Sequence, residues 1–175
     1  MVKQLLITCT AVMLGAPLSA QPPREKPGPE HKSLEHFVGN WKMEGKMNAG
    51  PMGPGGAFSG TETCRMFEGG FHLVCDSKSS GAMGNMTGHM VLTWDRGAKT
   101  YRFVSINNMA DADVGTGSFN GNTWTFNSSM TMNGKKLWGR FSLVEVSPTV
   151  HTMTMEMSED GKKWTPMMEG KSTKQ

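Results

Sequence analysis

The sequence predicts an all-β fold: an antiparallel up-and-down β-barrel of about ten strands, preceded by one short helix. Three observations carry this expectation. Between Trp41 and Ser172, apolar residues recur at every second position, the period of a half-buried strand. Gly, Asn and Asp turn formers separate the alternating stretches. No run of ten residues in that span carries the helical period that the crossover helices of a parallel sheet require.

The chain opens with features of export rather than of folding. Lys3 is followed by an apolar run from Leu5 to Leu14 and a small-residue exit, Gly15-Ala16-Pro17-Leu18-Ser19-Ala20. A ten-residue apolar run is too short to span a bilayer, and the pattern predicts a signal peptide over residues 1–20, cleaved after Ala20. Cys9 lies inside the apolar run without a small-residue box before it, so it is expected to leave with the leader rather than take a lipid. Residues 21–29 hold four prolines, Pro22, Pro23, Pro27 and Pro29, and read as an extended linker to a domain over 30–175.

His31, Leu34, Phe37 and Val38 follow at helical spacing, predicting a turn or two of helix that ends at Gly39. From there the period becomes two. Trp41, Met43 and Met47 alternate with Lys42, Glu44 and Lys46, and Asn48 to Gly56 is a glycine-rich loop. Phe58–Glu68 and Phe71–Ser79 are joined by Gly69-Gly70, a hairpin signal. After a second loop, Ser80–Asn85, the expected strands are Thr87–Asp95, Thr100–Met109, Asp113–Phe119, Thr123–Met132, Lys136–Val146, Thr149–Ser158 and Lys163–Ser172. Their short links favour a closed meander over a two-sheet sandwich, and closure removes exposed edges.

The Gly69-Gly70 tip pairs positions whose numbers sum to 139, which sets Cys64 directly opposite Cys75. Facing residues lie within disulfide reach, and an oxidising compartment predicts that the bridge forms. A two-residue tip makes this a hydrogen-bonded pair.

Alternation also selects the interior. Trp124, Phe126, Ser128, Met130 and Met132 share one face, opposite Thr123, Thr125, Asn127, Ser129 and Thr131. His151, Met153, Met155 and Met157 form a second inward row, and Met43 a third contribution. Methionine is flexible and polarizable, so such a wall suits irregular apolar ligands; it equally suits a filled small barrel. The candidate binding set is Met43, Phe126, Met130, Met132, His151, Met153 and Met155, with His151 as polar anchor.

Other chemistry is less well supported. The formal charge is +3, or +2 once Lys3 leaves, and it is dispersed, which argues against nucleic-acid binding. Met83, Met86, His89 and Met90 bring thioethers near an imidazole, a set that could hold Cu(I), but His89 and Met90 point to opposite faces of a strand. His151 is the best single ligand for a metal or haem. No Gly-x-Ser-x-Gly, dinucleotide or phosphate-loop motif occurs. Glu62 shares parity with Phe58, Cys64 and Met66, so an inward carboxyl with a raised pKa is expected, a candidate general acid or base together with His151.

The runs EHKSLEHFVGNWKMEGKM, GTETCRMFEGGF and KWTPMMEGKSTK resemble the bacterial domain-of-unknown-function family 1579, over about Glu30 to Lys174. That family is similar to the calycins, the lipocalin and fatty-acid-binding group, whose first strand carries Gly-x-Trp; here Gly39-Asn40-Trp41. The resemblance implies a calycin-like barrel, a periplasmic or secreted location in bacteria, and Trp41 packed across the closed end. It implies no established activity, and it leaves the cofactor open, with none expected. Unlike fatty-acid-binding proteins, the chain has no helix pair after the first strand and no arginine pair placed for a carboxylate. The expected function is binding of a small apolar or amphipathic molecule. The alternatives are a filled barrel working through surface partners, metal or haem binding, and acid–base catalysis by Glu62 and His151.

Overall fold

A computed structural model describes residues 25–50, 53–109, 112–132 and 134–175. The expected signal peptide lies outside the described residues. A short α-helix (α1, Pro29–Ser33) runs into a 3-10 turn, Leu34–Phe37, and ten strands follow: β1 Gly39–Met47, β2 Gly56–Met66, β3 His72–Gly81, β4 Gly84–Asp95, β5 Thr100–Asn107, β6 Ala112–Asn120, β7 Thr123–Met132, β8 Lys135–Ser147, β9 Val150–Ser158 and β10 Thr165–Lys174. Each strand pairs antiparallel with the next, and β1 pairs with β10 to close the barrel. No helix among the described residues is long and apolar enough to cross a membrane.

The helical segment seals one end. Leu34 and Phe37 are buried, and Trp41 Nε1 donates to the Phe37 carbonyl at 2.7 Å, tying the first strand to the cap. Tyr101 donates its hydroxyl proton to the Glu30 carbonyl at 3.0 Å, so the far wall holds the same cap. Trp41, Trp124, Leu73 and Leu92 fill the space beneath, each at most 1% exposed. Phe119 and Phe126 stack on either side of Trp124, with ring centroids 4.3 and 6.1 Å away. Burying this many large rings supplies the apolar transfer energy that drives closure of this end.

Toward the other end the wall thins. On β6 the inward positions include Gly115 and Gly117, and their cross-strand neighbours are Phe103 and Phe126. A Cβ at Gly115 falls 2.4 Å from the Phe103 ring, and one at Gly117 falls 2.5 Å from the Phe126 ring. Each ring therefore lies flat against bare backbone, where any other residue would push it inward. Gly45 and Gly170 receive Phe58 in the same way, with 2.6 and 3.2 Å to its ring.

Three local features differ from the expectations. The β2–β3 connection spans more than Gly69-Gly70: the Phe67 amide donates to the His72 carbonyl at 2.7 Å, leaving four residues in the turn. The register sum of 139 survives, so Cys64 still faces Cys75 and they are disulfide-bonded, but the bonding alternation shifts by one. The cysteines thus occupy a narrow, non-hydrogen-bonded pair with Cα atoms 4.1 Å apart. The expected loop Ser80–Asn85 is mostly strand, because Gly81 and Gly84 pair across a two-residue turn and the register runs on through Ser80 and Asn85. Finally, the linker's last residues are held. The Arg96 guanidinium bonds the Glu25 carboxylate and, at 3.2 Å, the Lys26 carbonyl.

Candidate functional site

The upper part of the barrel is hollow. A cavity of about 270 Å3 is bordered by Phe37, Leu92, Phe103, Phe126, Phe141, Leu143 and the methionines Met43, Met90, Met130, Met153 and Met155. The filled interior that alternation left open is therefore confined to the capped half. At this volume the site lies just below the range of about 300–1,000 Å3 typical of ligand pockets, which favours a compact molecule over a macrocycle.

Of the expected binding set, Met43, Phe126, Met130, His151, Met153 and Met155 all border this one space. Met132 does not. It packs at the barrel's uncapped end with Leu137, Met157 and Met167, because it is the last residue of β7 and extends past the cavity. Sequence reasoning missed Met90, Leu92, Phe103 and Phe141 as lining residues, although parity within β4, β5 and β8 would have found them. Met90 had been grouped with metal candidates instead.

Those metal candidates are not brought together. Met90 faces the cavity, whereas His89 is exposed on the outer face, 2.7 Å from Asp76 across β3–β4. Met86 shares the inner parity, and Met83 lies in the turn before β4. One wall separates the imidazole from the thioethers. A cluster of Glu62, Cys64 and Cys75 does converge, with ligand atoms within 4.8 Å of one another, but the two sulfurs are bonded to each other and hold no thiolate for a metal.

His151 begins β9 at the cavity floor. Its ring lies 4.6 Å from Trp41 and 5.8 Å from both Phe37 and His36. Burial, with His36 beside it, lowers its pKa from 6.5 to about 4, so it is neutral at ordinary pH. Its Nδ1 is buried without a hydrogen-bond partner, as is Nε2 of His36. Beneath them Glu145 accepts from Trp124 Nε1 at 2.7 Å and lies 3.6 Å from His36 Nδ1, a polar seam under the aromatic floor.

Glu62 points inward from the middle of β2, opposite Trp41 on β1 and Ser77 on β3. It borders the cavity, and desolvation raises its pKa from 4.5 to about 7. The surface it retains faces the cavity, so this side chain is at once deep in the protein and accessible to a guest. Two other charged groups border the space: Asp113 on β6 and Arg140 on β8. The Arg140 guanidinium is engaged elsewhere, donating to Glu156 at 2.8 Å and lying 4.1 Å over the Trp164 ring.

With cap, closed meander and hollow interior in place, comparison with known proteins assigns the family. The chain matches the family described as "Protein of unknown function (DUF1579)" across residues 26–174. It belongs to that family. No curated protein matches its sequence. Among solved structures, this DUF1579 protein is similar to Rv2717c from M. tuberculosis, with 13% identity, a TM-score of 0.59, and coverage of 85% of this chain and 98% of that one. It is also similar to the S-type phycobiliprotein lyase CPES from Guillardia theta, with 10% identity, a TM-score of 0.55, and coverage of 83% and 92%. At such identities the likeness shows a shared barrel fold and nothing of a shared ligand.

Proposed function

We propose that this DUF1579 protein is an exported binding protein whose barrel holds a small apolar or amphipathic molecule. The observation that carries the reading is the cavity itself: a single space lined by phenylalanine, leucine and methionine, with a few polar groups at fixed points. Met43, Met130, Met153 and Met155 adapt the wall to the guest, Phe126 supplies a flat apolar face, and His151 is a neutral polar anchor at the floor. The leader-like residues 1–20 and the Cys64–Cys75 bridge support a periplasmic or secreted location.

A neutral naphthalene-based fluorophore tests this reading. Uptake by the wild-type protein, abolished by Met130→Glu and Met155→Glu, is the expected result. Native mass spectrometry of protein taken from its own compartment, set against a denatured sample, should show a co-purifying mass. Unliganded protein together with no fluorophore uptake sinks the reading. A second reading, contact with a protein partner, draws on the outer face of β5 and β6, where Val104, Ile106 and Val114 are about half exposed or more.

A further inference from the structure

The cavity is apolar over most of its wall, yet Glu62 stands in it with no ion pair or hydrogen bond to its carboxylate among the described residues. An ordinary buried carboxylate is matched by an arginine, a lysine or several amide donors, because an unpaired one is costly. The disulfide sulfurs lie within 4.8 Å of it and cannot neutralise a charge. Arg140 is turned to Glu156 and Trp164, and His151 is neutral. Above about pH 7 Glu62 therefore carries its charge into an apolar chamber where no described side chain supplies a matching cation.

We propose that the cavity selects a compact apolar molecule bearing one protonated amine, with the ammonium paired to Glu62 and the apolar body against Phe103, Phe126 and Met153. The inference rests on the ligand-binding reading above and narrows it to a chemical class. The energetic argument is one of asymmetry. When an ion pair forms in a protein interior, both partners ordinarily lose their water; here folding has already stripped part of the water from the carboxylate, so the ligand's desolvation is the larger cost left to offset. Phe37, Phe103, Phe126 and Phe141 also border the cavity, and an aromatic ring whose face meets an ammonium attracts it. A hydrocarbon of the same shape gains the apolar contacts but leaves Glu62 unmatched, and an anion meets repulsion.

Three single-ring probes of similar size test this at pH 8 by calorimetry with the full mature chain: 2-phenylethylamine, propylbenzene and 3-phenylpropanoate. The amine should bind at least tenfold tighter than the hydrocarbon, and the carboxylate more weakly than both. In Glu62→Gln the amine should lose at least tenfold while propylbenzene changes less than twofold, with the circular dichroism spectrum unchanged. Amine and hydrocarbon binding equally to the wild type overturns the amine assignment and leaves the ligand-binding reading standing; this comparison needs no variant. Binding of 4-phenyl-2-butanone as tight as that of the amine overturns it too, because Glu62 then acts as a neutral donor to a carbonyl. Failure of every probe to bind, with no uptake of the naphthalene fluorophore, overturns both readings.

Discussion

Substituting Glu62 by Gln isolates the cost of holding a carboxylate in the cavity wall. Burial moves its pKa from 4.5 to about 7, and at about 1.4 kcal/mol per pKa unit ionising it in the folded protein costs about 3 kcal/mol more than in the unfolded chain. The sign follows from proton uptake. Between pH 4.5 and 7 the folded state holds a proton that the unfolded state has released, so stability falls as pH rises through this window and levels off above it. Gln has the same shape and no charge. Urea unfolding of both proteins at pH 4.5, 6, 7 and 8 should therefore give curves that diverge, with Glu62→Gln gaining up to about 3 kcal/mol on the wild type by pH 8. His151 and His36 titrate in both proteins and cancel in the difference. Water entering the cavity lowers the gain, so about 3 kcal/mol is its ceiling. A difference that stays flat across the range refutes the reasoning, because Glu62 would then ionise as it does in water.

Three further outcomes are expected. His151, whose pKa falls from 6.5 to about 4, should keep its neutral NMR shifts until the pH nears 4; since the unfolded chain takes up the proton first, stability should drop as pH falls from 6.5 toward 4, and His151→Gln should lessen that drop. Reducing the Cys64–Cys75 bridge, which closes a short loop with a sequence separation of 11, should cost up to about 3 kcal/mol and lower the melting temperature, leaving the far-ultraviolet dichroism of a barrel below the new midpoint. Gly117→Ala should cost about 1–3 kcal/mol by overpacking and weaken fluorophore binding, since its Cβ falls 2.5 Å from the Phe126 ring; unchanged binding would show that the ring can yield elsewhere.

Most of the barrel was legible because a strand's side-chain period is two and errors cannot accumulate quietly. A one-residue slip would have set Trp124, Phe126 and Met130 outside, and their shared parity with the aromatic cap leaves no such choice. The Cys64–Cys75 pairing was legible for the same reason, since a hairpin's register follows from its centre. Its bonding class was not, because that depends on whether the turn holds two residues or four, and Phe67–His72 bonding is a backbone matter that residue types do not dictate. Parity named six of the cavity residues but could not say how far along each strand the hollow runs, which is why Met132 was included and Met90 overlooked. The inward Glu62 and the outward Arg140 and Glu156 were all readable from parity, whereas the lack of a partner for Glu62 was not: that depends on which side chains of other strands reach its carboxyl, and no local pattern encodes this.

The bare backbone behind Phe103 and Phe126 means that the calibre of the chamber is set one layer behind its lining. Gly117 is not part of the lining, yet a methyl there meets the Phe126 ring at 2.5 Å, so the bore can be narrowed without altering any group that borders it. Homologues with the same wall residues can thus admit differently sized guests, and a search confined to the lining would overlook what distinguishes them.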